Sequence, residues 1–363
     1  MLSTPLFAIE LGWAEWLAKV LGVLAVVILP AGGTVYLYLF KMVSFMQSRL
    51  GPMEAGPYGS MQLLAEVGKN LQKEDIFPAK ADRTVFAFAP YVVLASTFLL
   101  AAVIPFGPEA GFASLDTGNF DSTQFDGVGV FFALAVSSIS VIGILMAGWG
   151  SASKYSLMGG LRAAGQLIAY ELPLVLAVVG VVIQAGTLSL QGIVYSQING
   201  EIFGFGGIGL PYILTQFVGF FIFMIAVQAE LAQTPFDMPI AESELVTGYL
   251  TEYTGFRFLV FFIAEFASAA VFAFLASVLF LGGWAIPPFV MDILGIDEFS
   301  NWFNLIGPAV MATKMLLLTF VVYWVRFTFP RFREDQLQRF AWKILIPLSL
   351  VNIFVTGVLK VAF

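Results

Sequence analysis

Apolar residues run along this chain in long unbroken stretches, without the alternation of a half-buried strand or the one-sided stripe of a soluble helix. Eight stretches approach or exceed the roughly 20 residues needed to cross a hydrocarbon layer. They lie near 15–40, 84–105, 128–149, 157–185, 210–229, 257–281, 307–327 and 342–362. In lipid every backbone polar group must be satisfied within the structure, so continuous apolar runs predict helices, whereas barrel strands would alternate. The intervals are too short for a soluble domain, which predicts a single transmembrane domain over 1–363. One interval has a different rhythm. After Gly51-Pro52 and Gly56-Pro57, pairs that mark turns, Met61, Leu64, Ala65, Gly68 and Leu71 share one helical face. Gln62, Glu66, Lys69, Asn70 and Lys73 fall largely on the other. This predicts an amphipathic helix near 58–73 lying along the membrane surface, with a plain surface connector as the competing reading. The expected fold class is thus an all-α integral membrane protein of about eight spans plus one surface helix.

Composition narrows the chemistry. The 363 residues are 59% hydrophobic and 11% charged, with 24 acids, 17 bases and a net charge of −7, which argues against a nucleic-acid partner. There is no Cys and no His, so no metal site is expected, and this chain alone cannot supply thiolate or imidazole ligands to an iron–sulfur cluster, zinc or haem. Any electrons must be carried by partners, and protons fall to carboxylates, Lys and Tyr. Glu10 and Glu15 stand where a signal peptide would carry bases, so no removable leader is expected.

Charge also orients the spans, since short cytoplasmic loops gather Lys and Arg. Lys41, Arg49, Lys69, Lys73, Lys80 and Arg83 fall in the first such loop, Lys154 in the next, and Arg331, Arg333 and Arg339 in the last. The alternate intervals, 106–126, 186–209 and 282–306, hold no base but carry Glu109, Asp116, Asp121, Asp126, Glu201, Asp292, Asp297 and Glu298. Both termini are therefore expected on the outer side. The loop 230–257 breaks the rule: it holds Glu230, Asp237, Glu242, Glu244 and Glu252, with only Arg257 at its end. Pro235 and Pro239 prevent a regular helix there, so its backbone is expected to line a cavity or pack on a partner; the alternative is a solvated acidic loop.

Glu171 lies midway along the fourth run and Glu265 in the sixth, with no base close by in sequence. An ionisable group at that depth is costly and is a functional candidate by default. Glu171, Glu230, Glu242, Glu244, Glu252 and Glu265 are read as a hydrated proton path; the other reading makes each a structural acid capped by Ser, Tyr or backbone donors. Pro173 is expected to kink the fourth span and free a carbonyl near Glu171.

Four ordered segments are more specific. MQSRLGPMEAGPYG at 46–59, GWGSASKYSLMGGLRAAGQLIAYELPL at 148–174, AELAQTPFDMPIAESELVTGYLTEYTGFRF at 229–258 and PRFREDQLQRFAWKILIPLSL at 330–350 resemble the H subunit of bacterial complex I, subunit 1 of the mitochondrial enzyme. The resemblance runs from about residue 35 to the C-terminus. It implies a multi-pass subunit of the bacterial plasma membrane in a proton-pumping NADH-quinone oxidoreductase. Its cytoplasmic loops would enclose a quinone chamber together with peripheral-arm iron–sulfur and quinone-site subunits. Quinone is then a substrate, iron–sulfur clusters and flavin belong to partners, and small and antiporter-like membrane subunits are neighbours. Carried over by position, Arg49, Glu66, Lys69 and Phe236 resemble the chamber entrance and wall. Asp237, Glu242, Glu244 and Glu252 resemble the acidic coupling loop, and Glu171, Glu230 and Glu265 the buried chain leading away from it. Arg331 and Arg333 resemble a basic turn for partner docking.

The chain departs from the family at Leu39-Phe40-Lys41, where Glu-Arg-Lys is usual, at Gln233, usually Arg, and at Ile240, usually an acid. Losing an acid and a base together can be nearly neutral, because no orphan charge remains. The quinone, ubiquinone or menaquinone, and the electron donor stay open. The alternative inside the superfamily is the membrane subunit of an energy-converting hydrogenase or of a complex I-like enzyme with another donor. Two other classes make different demands. An independent transporter should show paired broken helices and move solute alone. A passive anchor should tolerate neutral substitutions of Glu171 and the acidic loop.

Overall fold

A computed structural model describes residues 13–107, 127–199, 211–286 and 303–362. Glu10 and the acids of the base-free intervals, Glu109, Asp116, Asp121, Asp126, Glu201, Asp292, Asp297 and Glu298, lie outside the described residues. Among the described residues all regular structure is helical. Helix α1 (Trp13–Thr34) passes into a π-helical stretch (Val35–Met42) and ends in a short turn (Val43–Met46). The amphipathic segment forms α2 (Gln62–Gln72), none of whose residues is buried. Then follow α3 (Arg83–Val103), α4 (Gly129–Gly150, interrupted at Ser138) and α5 (Lys154–Ala185), which runs without a break through Pro173. The chain continues through α6 (Leu190–Asn199), α7 (Phe217–Glu230), the single turn α8 (Glu242–Leu245), α9 (Gly255–Leu281), α10 (Phe303–Thr328) and α11 (Glu334–Ala362).

Among the described residues, seven segments are long and apolar enough to cross a membrane. The fifth apolar run gives a helix of only 14 residues, α7. Pro211 cannot donate into a helix, and the Gln197 side chain takes the Tyr212 amide at 3.1 Å, so 211–216 forms hydrogen-bonded turns instead. A helix this short, roughly 21 Å long, is preceded by turns whose backbone is hydrogen-bonded and whose Tyr212 and Gln216 are buried in protein, although Leu214 is exposed. Helix α6, inside an interval read only as a loop, supplies Gln197 and buries Leu190, Ile193 and Val194.

Two helices organise the bundle. Helix α9 is its centre, 72% buried over its apolar window and packed by α1, α3 and α10, whereas the corresponding window of α11 is only 17% buried. Helix α5 is the second hub, packed by α4, α7 and α11. The α4–α5 contact is a glycine seam: a Cβ on Gly148 would stand 3.0 Å from the Cα of Gly160. Both hub helices end on a left-handed glycine, Gly186 for α5 and Gly282 for α9. The end of α9 is also held from outside, because Lys314 of α10 donates to the carbonyls of Leu281, Gly283 and Ala285 at 2.7, 2.8 and 2.9 Å.

Candidate functional site

The acidic loop between α7 and α9 is not a solvated loop. Phe236, Met238, Ala241, Leu245, Leu250 and Tyr253 are buried in it, and the Gln228 amide pins it by donating to the Thr234 carbonyl at 2.8 Å and the Val322 carbonyl at 3.2 Å. Gly248 is required where it is: its φ is +57°, and a Cβ there would land on the Pro239 carbonyl. The loop therefore packs back into its own bundle, near Glu230 and Glu265, while Glu242, Ser243, Glu244 and Val246 remain exposed.

Glu171 projects from α5 toward the interruption in α4, where the Ser138 hydroxyl donates to its carboxylate. Glu230 closes α7, and its buried Oε2 has no hydrogen-bond partner among the described residues. Next to it lies a cavity of about 60 Å³ that Glu230 shares with Glu265. Ser96, Thr97, Ser137, Ser140 and Ser268 put hydroxyls on its wall, and Thr97 and Ser268 bond each other at 2.7 Å. Space of that size admits roughly four waters, and the polar wall would hold them.

Glu265 is the most engaged of the three. The Gln233 amide donates to its Oε1 at 2.6 Å, and Arg326 of α10 approaches the same oxygen at 3.6 Å, an ion pair too long for a direct hydrogen bond. The Arg326 Nη1 is buried without an acceptor among the described residues, so charge balance here is met while hydrogen bonding is not. Asp237 repeats the pattern: its buried Oδ1 lacks a partner among the described residues, and burial pushes its carboxyl up to about 6, opposed by Arg326, Arg331 and the Ala241 amide and reinforced by Glu265. Asp237 faces an open recess of about 680 Å³, shared with Thr234, Glu242, Ser243 and Arg331.

At the rim the charges are instead paired. Glu244 accepts from Arg162 of α5 at 2.6 Å and from Arg331 at 2.8 Å. The Arg162 hydrogen bond leads in holding its carboxyl below the usual carboxylate range. Arg331 also donates to Ser243 at 3.0 Å, so this base of the last loop braces the acidic loop. Arg333 stays local, with its side chain 3.7 Å from Asp335 and its amide donating to the Gln336 side chain at 3.2 Å.

The remaining sequence candidates stand apart. Glu252 is half-buried before Tyr253, and no hydrogen bond or ion pair joins its side chain to a described residue. Arg49 and Lys69 are exposed, Glu66 is half-buried on α2, and none of them bonds the acids through its side chain. Phe236 is buried between Tyr170 and Phe332, with ring centroids 5.1 and 5.5 Å away. The unusual positions fit their places: Leu39 and Phe40 pack on the core, Lys41 donates to the Pro52 carbonyl at 2.7 Å, and Ile240 packs beside Tyr249 and Phe261. Arg326, Arg162, Ser138 and Ser268 were missed from the sequence. Arg326 carried one usable signal, a base inside the apolar run 307–327, where a charge needs a partner. Among the described residues no cluster of three or more His, Cys, Asp or Glu could hold a metal ion.

Comparison with known proteins gives a consistent answer. The sequence profile of the NADH dehydrogenase family matches residues 18–357. The H subunit of NADH-quinone oxidoreductase from Bacillus thuringiensis subsp. konkukian (strain 97-27) is 44% identical over 324 residues, which cover 89% of this chain and 87% of the relative. The H subunits from Bacillus cereus (strain AH187) and Bacillus anthracis (strain A0248) match with the same identity and coverage.

Proposed function

The chain belongs to the NADH dehydrogenase family, with H subunits of NADH-quinone oxidoreductases as relatives, and from that premise we propose that it couples quinone reduction to proton translocation. In this reading it is the multi-pass plasma-membrane subunit that walls the quinone chamber together with peripheral-arm subunits, and it passes protonation changes toward the small and antiporter-like membrane subunits. Electrons reach the quinone from iron–sulfur clusters, and originally from flavin, on those partners. The basic end of the bundle faces the cytoplasm and both termini face outward.

The observation that carries the proposal is the state of the acids. Glu230 and Asp237 each present a buried carboxylate oxygen without a partner among the described residues, and Glu230 shares a wettable cavity with Glu265. A stability-driven design would saturate such atoms, because each orphan costs roughly 1–3 kcal/mol; a proton relay needs acceptors that are free. Reducing a quinone consumes protons, and negative charge appearing near the recess raises the proton affinity of Asp237 first. Its proton demand is then felt at Glu265, whose charge already acts on Asp237. From Glu265 the cavity leads to Glu230, and Glu171 follows on the neighbouring helix. Glu242 lines the recess mouth, Glu244 holds the loop through its two arginines, and Glu252 stands behind it as a reserve acid. Arg49, Glu66 and Lys69 belong to the chamber entrance, while Phe236 backs the wall from the packed side.

The test uses the whole complex in sealed vesicles. With Glu171→Gln, proton translocation per quinone reduced should fall roughly 100-fold, the scale of a lost general acid–base. Unchanged pumping removes Glu171 from the path.

A further inference from the structure

On the outer face of the bundle, away from the acids, an apolar groove of about 410 Å³ lies between α3, α4 and α5. That volume falls within the roughly 300–1,000 Å³ of small-molecule clefts. Its floor is Gly160, and its walls include Ile142, Met146, Trp149, Leu157 and Leu161. The floor is low because of the glycine seam: a Cβ on Gly160 would already stand 3.2 Å from the Cα of Gly148. The walls project outward, with Trp149 72% and Leu161 59% exposed. No lining residue carries a polar side chain apart from the indole of Trp149.

The groove ends at bases. Lys154 is exposed at the first position of α5, one turn before Leu157, and Arg83 is exposed at the first position of α3, just before the lining residue Val85. The Asp82 amide donates to the Gly150 carbonyl at 3.1 Å, which holds the start of α3 against the end of α4 and brings both bases to one end of the groove. The Asp82 carboxylate is engaged by the amides of Thr84 and Val85 at 3.1 and 3.3 Å, and no ion pair joins Arg83 or Lys154 to a described residue. Trp149 and the exposed Tyr155 supply the amphipathic rings typical of a membrane–water boundary.

An apolar trench that opens to lipid and ends at Lys154 and at Arg83, whose guanidinium lies 6.0 Å from the Phe77 ring, with Asp82 as the one acid beside them, is net positive at that end and complementary to a lipid with a negative headgroup. A transmembrane helix, roughly 10–12 Å across with its side chains, would ride on Trp149 and Leu161 and leave Gly160 uncovered. We propose that this groove is a specific site for an anionic phospholipid, with one acyl chain lying over Gly160 between Trp149 and Leu161 and the phosphate on Lys154 and Arg83.

The whole complex, reconstituted in phosphatidylcholine nanodiscs, tests this with brominated lipids that quench tryptophan on contact. The Trp149 contribution is the difference from a Trp149→Phe complex. Brominated phosphatidylglycerol should half-quench Trp149 at a mole fraction at least roughly fivefold below that of brominated phosphatidylcholine, the effect of one base at a membrane surface. Lys154→Gln with Arg83→Gln should erase that preference while partner subunits still copurify; if the double variant fails to assemble, Lys154→Gln alone should reduce it. Equal quenching by the two lipids in the unmodified complex overturns the proposal, leaving ordinary boundary lipid. Quenching by neither also overturns it, because another subunit then covers the groove.

Discussion

Helices α5 and α7 lie side by side and carry polar side chains at both ends, yet the two ends are built on opposite principles. On one side stand Glu171, midway along α5, and Glu230, the last residue of α7, whose buried oxygen is unpaired among the described residues. On the other, roughly 20 Å along α5, Gln184, Thr215, Gln216, Asn352 and Thr356 form a closed network. Gln184 and Thr215 bond each other at 2.7 and 2.9 Å, and Gln216 donates to Gln184 at 3.1 Å and to Thr356 at 2.8 Å. Asn352 donates back to Gln216 at 2.9 Å. Gly180 makes room, since a Cβ there would stand 3.1 Å from the Gln216 oxygen. The amide end is neutral and saturated, so it holds three helices together and offers a proton nothing. The acid end is ionisable and under-satisfied, so it trades stability for capacity to react.

That division makes demands that can fail. The largest effect is expected from Arg326→Met, which leaves Glu265 charged with only Gln233 beside it. A loss of about 3 kcal/mol is expected in thermal unfolding of the complex, at the low end for a broken buried pair because both groups are about a quarter exposed. Adding Glu265→Gln should restore much of it, and failure to do so would mean that Arg326 serves another partner. Gln216→Leu should cost roughly 1–3 kcal/mol by stranding its neighbours. It should also leave protons moved per electron unchanged, and a changed ratio would erase the distinction between the two ends.

Asp237 gives a smaller, pH-dependent signal. Its carboxyl sits near 6 in the fold against an ordinary 3.8, so the folded state binds this proton more tightly than the unfolded chain does. The associated stability is present below pH 3.8 and lost as pH rises through about 6. Asp237→Asn should flatten the fall in unfolding temperature across that window; an unaltered pH profile would show that the group titrates normally. The smallest effect is expected for Glu244→Ala, because an exposed pair gains little and is screened by salt. Its unfolding temperature should barely move at high ionic strength, whereas a large loss there would make the rim clasp as important as the buried acids.

The all-helical membrane fold was legible because apolar runs such as 257–281 leave the backbone no alternative in lipid. The acidic loop announced itself by carrying the wrong charge for its side. The pairings were not legible. Glu265 meets Arg326, and Glu244 meets Arg162 and Arg331, across distances in sequence that periodicity cannot bridge. Helix α6 was hidden because its polar Gln191 and Gln197 read as loop, although they turn inward to bond Trp284 and the carbonyls at the end of α9. The shortened α7 was hidden for a related reason: hydropathy at Tyr212 and Leu214 suits a span, but Pro211 and the Gln197 side chain decide the backbone.

Lys314 fixes one tip of α9 in place. With three carbonyls at one tip gathered on a single ammonium, that tip cannot travel along the helix axis without tearing all three contacts at once. The opposite tip is pinned too, by the Arg257–Asp75 ion pair at 2.5 Å, and Glu265 between the tips is held by the Gln233 amide and the longer ion pair to Arg326. A rod pinned at both tips and loaded between them does not act as a piston. Glu265 therefore sits on a helix that cannot slide, and α1, α3 and α10 are the neighbours packed around it.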